Sequence, residues 1–174
     1  MYYDNILPHN TLSQNNKRNN WICYLLQSLD NGHTYIGSTN NLEKRLLKHN
    51  KGKGAKRTRG NKWIPIIFIS GFNNKNACLS FEKGWQKLYK KRGKNDFSII
   101  YYNLKYTKDI LFNRILDLLY FVYNLSFING KFKLDRDNKY PFVEPNDLIL
   151  HIFFEDWINN LPWPYFIYID LNPI

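Results

Sequence analysis

Tyr24, Tyr35, Arg45, His49 and Glu82 follow one another along the chain, with a Lys- and Arg-rich stretch from Lys51 to Lys62 before the glutamate. Phenols and an imidazole can pass protons, a guanidinium can hold an anionic oxygen, and a carboxylate can hold a hard cation. Such a set suits reaction at a phosphate ester. That chemistry needs an activated water, neutralised equatorial oxygens and help for the leaving oxygen.

Glu82 stands alone as the one acid between Glu43 and Asp96. One helical turn away it has Trp85 and Gln86 on one side and Cys78 and Leu79 on the other, so no basic neighbour is placed to pair with it. A single carboxylate can hold Mg²⁺ when water and substrate phosphate complete the shell. Ordinary explanations exist for every member. Tyrosines are common in strands, and an arginine on a surface helix is usually solvated. A histidine at a helix end can simply favour the C-terminal dipole. Near a metal and cations, however, a phenol such as Tyr24 can lose its proton more readily. Nine Lys and Arg from Lys44 to Lys62, against no acid, favour a polyphosphate ligand over a merely solvated face. Lys48, Lys51, Lys53, Lys56, Arg57, Arg59 and Lys62 are the candidate contacts.

The elements that must position these groups can be read from the pattern. Residues 21–28 are apolar and β-rich, a strand buried on both faces, and Asp30-Asn31-Gly32 turns the chain into a second strand over 33–38. With Asn31-Gly32 as a two-residue turn, paired residues sum to 63 and Ser28 faces Tyr35, with Tyr24 on the same face. Asn40 and Glu43 resemble a capping box opening a helix to about Asn50, which puts Arg45 and His49 on one side. The Lys51–Lys62 stretch reads as a flexible basic loop with glycines that allow close backbone approach. Residues 63–70 form a third strand whose Pro65 requires an edge or a bulge. A second helix, capped by Asn73 or Asn74 and running to about Arg92, buries Cys78, Phe81, Trp85 and Leu88 and leaves Glu82 at the boundary of that stripe.

Beyond a break at 93–96, the pattern predicts a helix over 108–125, a polar connection over 129–141, a helix over 147–157 and a strand over 165–169. Residues 1–20 are polar and Asn-rich, which predicts a mobile arm.

The 174 residues allow one domain with a modest annex, and 44% hydrophobic residues supply a packed core. Net charge is +11, and it is unevenly placed. Residues 1–95 carry 18 Lys and Arg against four acids, +14, whereas residues 96–174 carry 7 against 10, −3. The first half is therefore the face for a polyanion. Two cysteines, Cys23 and Cys78, are too few for a disulfide framework or a Cys-rich zinc site and suit a reducing, intracellular setting. No secretory h-region or long uncharged apolar run is present, so a membrane partner is not expected.

Taken in order, the set resembles the GIY-YIG nuclease superfamily over about residues 20–92. Ile22-Cys23-Tyr24 occupies the first motif, Tyr35-Ile36-Gly37 the second, Arg45 and His49 the helix pattern, and Glu82 the metal-binding glutamate. Within the superfamily the chain is most similar to the catalytic subunit of the Slx-type structure-selective endonuclease. The supporting runs are Cys23-Tyr24-Leu25-Leu26, Thr34-Tyr35-Ile36-Gly37, Lys53-Gly54-Ala55-Lys56-Arg57-Thr58-Arg59-Gly60 and Phe81-Glu82-Lys83-Gly84-Trp85-Gln86. The first three also suit small bacterial GIY-YIG proteins, and Trp85-Gln86 favours the Slx type.

The resemblance implies an α/β (α+β) fold with a three-stranded antiparallel sheet flanked by helices at 21–95; the pattern of residues 96–174 adds a mostly helical C-terminal annex packed on it. It further implies endonucleolytic incision of branched DNA (flaps, forks and four-way junctions) with one Mg²⁺ or Mn²⁺ on Glu82. Tyr24 would be the base or water-orienting phenol, Tyr35 would position water or phosphate, Arg45 would stabilise charge, and His49 would assist. Ile22-Cys23 stands where the motif has Gly-Ile. Slx-type subunits also carry a Cys/His-rich zinc domain that docks a scaffold protein. Two cysteines cannot build one, so such a partner is not expected. Two alternatives remain at this level: a nuclease selecting sequence or damage, and a silent nucleic-acid binder.

Overall fold

A computed structural model describes residues 20–94, 104–137, 139 and 148–173. The arm expected over 1–20 lies almost wholly outside the described residues, as do Asn95 and Asp96 of the expected break.

The frame of the fold is one mixed sheet. Strands β1 (Ile22–Ser28), β2 (Thr34–Thr39) and β3 (Trp63–Ser70) form its antiparallel part, with β1 in the middle. Four consecutive residues of β1, Cys23 to Leu26, are fully buried, as its unbroken apolar run requires. The hairpin register differs from the expected one. Gln27 pairs Thr34 and Leu26 pairs Tyr35, so paired residues sum to 61. The Ser28 hydroxyl accepts from the N–H groups of Asp30 and Asn31, the Ser28 N–H donates to the His33 carbonyl, and a four-residue loop replaces the two-residue turn. A shift of two preserves side-chain parity, so Tyr24 and Tyr35 still share a face. The pairing of β1 with β3 slips between Leu25 and Leu26, where Ile66 is bulged out of register beside Pro65. The proline is accommodated there.

Helix α1 (Leu42–Asn50) and the Tyr24 face of the sheet enclose a small core of Tyr24, Leu26, Leu46 and Trp63. Its N-cap is Asn41, not Asn40: the Asn41 side chain accepts from the Lys44 N–H at 2.8 Å, and Glu43 reaches no cap. Helix α2 (Lys75–Lys87), capped by Asn74, covers the opposite face through Ala77, Cys78, Phe81 and Trp85, and continues as a 3₁₀ segment, Leu88–Lys94.

The tail departs most from expectation. Helix α3 (Ile110–Tyr123) forms as predicted and is buried nearly all round. The first part of the stretch read as a polar connection supplies instead the turn and second strand of a hairpin, β4 (Leu125–Ile128) and β5 (Lys131–Leu134). Asn129 and Gly130 both take positive φ, 51° and 73°, which is the signature of a two-residue hairpin turn. Where a helix was expected over 147–157, β6 (Ile149–Ile152) pairs with β3, and only Asp156–Asn159 is helical (α4). The period-two burial of Leu148, Leu150 and Ile152 wins over helical spacing. β7 (Tyr168–Asp170) starts later than the expected strand and runs parallel to β6. The expected three strands are thus part of a five-stranded sheet ordered β2-β1-β3-β6-β7. The α/β class holds, but the described tail adds four strands to its two helices.

Two polar clusters tie the tail to the front. Asp117 on α3, fully buried, accepts from Arg92 through Nε and Nη2 and from the Tyr106 hydroxyl. Across β3, β6 and β7, His151 bridges Ser70 and Asp170 at 2.8 Å each and stacks on Phe68. Among the described residues no helix is long and apolar enough to cross a membrane.

Candidate active site

The site lies at the β2 edge of the sheet. Tyr24 points from β1 to the α1 side and its phenol reaches His49 Nε2 at 3.0 Å, while Arg45 Nε donates to the same oxygen at 3.1 Å. Helical spacing alone puts Arg45 and His49 together on α1; the sheet supplies the tyrosine between them. The Tyr35 ring packs against both, 6.3 Å from Tyr24 and 5.0 Å from His49 between centroids. Gly37 pairs directly with Tyr24. A Cβ there would fall 2.5 Å from the Tyr24 oxygen and 2.9 Å from the Tyr35 ring, so this position of the second motif has to be glycine.

A further residue completes the line. His49 Nδ1 lies 2.6 Å from Thr58 Oγ1, and the Thr58 hydroxyl donates to the Ala55 carbonyl at 2.8 Å. A hydroxyl has one proton, and this one is spent on Ala55, so Thr58 accepts from His49 Nδ1–H. That leaves Nε2 as an acceptor, and Tyr24 donates to it. The buried chain therefore runs Arg45 to Tyr24 to His49 to Thr58 to Ala55, each group donating to the next. Thr58 belongs to a short 3₁₀ turn, Lys56–Thr58, whose carbonyl also receives Trp63 Nε1. Sequence reading passed over Thr58, which sat unmarked in a basic loop. The loop's glycines were expected to admit a ligand, but Gly54 packs directly against His49.

Burial sets the protonation states. It raises the Tyr24 phenol above its usual value, and the hydrogen bond and charge of Arg45 oppose this only in part. Burial therefore outweighs the Arg45 cation, and the phenol is a protonated donor at neutral pH. Burial, with the Arg45 charge, lowers His49 to about 4, so the imidazole is neutral. A neutral, fully buried ring is not serving the helix dipole, which removes that explanation. Burial works against the Arg45 charge too, but its bonds to Tyr24 and Tyr35 outweigh it.

Glu82 reaches the same edge from the other face of the sheet. Its Oε2 accepts from the Ser38 hydroxyl, and its Oε1 accepts from Gln86 Nε2 at 2.8 Å. Gln86 also donates to the Ile36 carbonyl at 2.9 Å, fastening α2 to the second motif. Glu82 is half-buried, as its boundary position required, and its charge is felt at Tyr24. Ser38 and Gln86 were not anticipated as site residues, although Gln86 at four residues' distance was the available signal. Each Glu82 oxygen receives one hydrogen bond, which leaves acceptor capacity free. Among the described residues no group of three or more His, Cys, Asp or Glu can enclose a metal. The donor set therefore suits a hard cation that keeps most of its water. Lys48, Lys51, Lys53, Lys56, Arg57, Arg59 and Lys62 are exposed, with no ion pair to any of them among the described residues.

Residues 20–95 match the GIY-YIG catalytic domain. The chain also aligns with YazA, a UPF0213 protein of Bacillus subtilis, at 38% identity over 42% of this chain and 74% of that protein. It belongs to the GIY-YIG family. Family chemistry is phosphodiester hydrolysis, for which a divalent metal is a general requirement, and the chain is a nuclease in that sense. It is also 56% identical to Uncharacterized protein L300 of Acanthamoeba polyphaga mimivirus, over 85% of this chain and 94% of that one. A third relative is the Structure-specific endonuclease subunit SLX1 of Vanderwaltozyma polyspora, 43% identical over 40% of this chain. The match spans 24% of that subunit, so the likeness is confined to the nuclease part.

Proposed function

We propose that this GIY-YIG nuclease incises branched DNA, using one divalent cation on Glu82 and the Arg45–Tyr24–His49–Thr58 line as its proton path. The observation that carries the reading is the Tyr24 oxygen. It accepts from Arg45 and donates to a neutral His49, and a phenol oxygen has a second lone pair for the proton of an attacking water. As water attacks phosphorus, its proton passes to the Tyr24 oxygen and the Tyr24 proton passes to His49 Nε2. Thr58 keeps that nitrogen free by binding Nδ1–H, and no charged phenolate need form in the buried site. Arg45 has further N–H groups to set against the charge growing on the phosphoryl oxygens. Tyr35, packed on His49 and Tyr24, holds both rings in place. Glu82, oriented by Ser38 and Gln86, would hold Mg²⁺ or Mn²⁺. That ion would supply Lewis-acid polarisation of the phosphate and help for the leaving oxygen. The exposed cations from Lys48 to Lys62 would carry the DNA backbone. The likeness to a structure-specific endonuclease subunit supports selection by structure.

The test is incubation of the protein with Mg²⁺ on a 5′ flap, a fork, a four-way junction and a matched linear duplex, beside Glu82→Ala. Cleavage of branched DNA alone, lost in Glu82→Ala with DNA binding kept, is the expected result. Equal cutting of the linear duplex would remove structure selection, and no cutting of any substrate would overturn the enzyme reading.

A further inference from the structure

We propose that a second basic surface, an open groove between α2 and the β4–β5 hairpin, binds the phosphate backbone of another arm of the same branched DNA. This rests on the nuclease reading and adds to it how branching is sensed.

The groove, about 580 Å³, is walled by Lys83, Lys87 and Lys91 on one side and by Lys131 and Lys133 on the other. No acid lines it. None of the five lysines has an ion-pair partner among the described residues. Lys83 and Lys87 are one turn apart on α2, and Lys91 continues the row in the 3₁₀ segment. On β5 the order is exposed lysine, buried Phe132, exposed lysine, so both cations emerge on one side of the strand. The hairpin cannot swing away to relieve the repulsion. Phe132 is packed on Phe72 and Phe81, and its N–H donates to Ser80 of α2 at 2.8 Å. Lone surface lysines are normally solvated. Here two separate elements are bolted together so that five like charges converge. A polyanion laid in the groove releases counterions and relieves that repulsion.

Placement decides which polyanion. The basic stretch Lys48 to Lys62 lies with α1 on the Tyr24 face, whereas α2 packs on the Cys23 face. Glu82 precedes Lys83 on α2 and reaches the β2 edge between the two faces through Ser38. Two basic surfaces thus flank the candidate catalytic edge from opposite sides of the sheet. A linear duplex running over one of them leaves the other empty, while a branch at the scissile phosphate sends a second arm toward it. Lys131 and Lys133 lie outside the matched residues 20–95, so the tail supplies one wall of the groove and two of its five lysines.

The experiment is fluorescence anisotropy in EDTA, which blocks cleavage, with a labelled flap and a linear duplex of equal length. The full chain is compared with a variant carrying Lys→Gln at 83, 87, 91, 131 and 133, whose melting temperature checks that it is folded. The expected result is flap binding weakened by about tenfold or more, with a shallower salt dependence, and linear binding changed by less than about twofold. Lys53→Gln, Lys56→Gln, Arg57→Gln and Arg59→Gln together weaken both DNAs. Unchanged flap affinity in the groove variant overturns the proposal, and so does an equal loss on both DNAs. The readout needs no turnover. A chain that cuts nothing, yet loses flap preference in the groove variant, would sink the nuclease reading and keep this one.

Discussion

Two buried polar clusters in this molecule look alike and are built for opposite ends. Around Asp117, burial raises the carboxyl pKa while Arg92 and Tyr106 pull it back down, and the group sits as half of a charged pair joining α3 to the extension of α2. Around Tyr24, every group except Arg45 is neutral, and each proton has a defined next position. A charged pair carries no proton poised for transfer near neutral pH. A neutral chain can take up one proton at one end and shift the rest along. Buried hydrogen bonding thus serves stability in the first cluster and readiness to react in the second.

Removing each centre should separate them. Asp117→Ala leaves Arg92 without its buried partner and should cost about 3–5 kcal/mol in denaturant unfolding. Activity per folded molecule should stay near wild type. A variant of unchanged stability would show that the clamp contributes nothing. Tyr24→Phe should do the reverse, lowering turnover on branched DNA by about 10²–10⁴-fold with a stability change near 1 kcal/mol. Turnover at the wild-type rate would exclude the phenol from the proton path.

Acid should sharpen the contrast. The folded pKa of His49, about 4, lies below the usual histidine value of about 6.5. The unfolded chain therefore binds the proton first, and the contribution of His49 is intact above about pH 6.5 and lost as pH falls toward 4, about 3 kcal/mol in all. Asp117, with its pKa raised, drifts the other way on acidification. Urea melts from pH 7 to 4 should show the loss in wild type and a flatter curve for His49→Gln; equal slopes would assign it to other groups. The smallest effect is that of Thr58→Val, which removes the acceptor for Nδ1–H while keeping shape. Turnover should fall about tenfold, Thr58→Ser should restore it, and ¹⁵N shifts should show His49 leaving its Nδ1–H tautomer. A tautomer unchanged in Thr58→Val would remove Thr58 from the line.

The legible parts of the site were those governed by local periodicity. Arg45 and His49 share a face because four residues make one turn, and Glu82 sits at a stripe boundary because 100° per residue puts it there. Tyr24 and Tyr35 share a face under either hairpin register because the error was an even number. Asn129-Gly130 between alternating residues was a readable hairpin, obscured by the polar side chains around it. Nothing local marked Thr58 or Ser38. Each acquires its role from a partner on another element, His49 on α1 and Glu82 on α2.

Residue order and spacing were therefore enough to single out the candidate groups of the site, the α/β class and the basic front half. Covalent neighbours set periodicity, and periodicity sets faces. The protonation states came only from the assembled fold, because desolvation depends on what closes over a side chain. So did the joining of lysines from α2 and β5 into one groove, and the entry of β6 and β7 into the sheet. Pairing between strands distant in the chain is decided by which edge is open when the tail folds back.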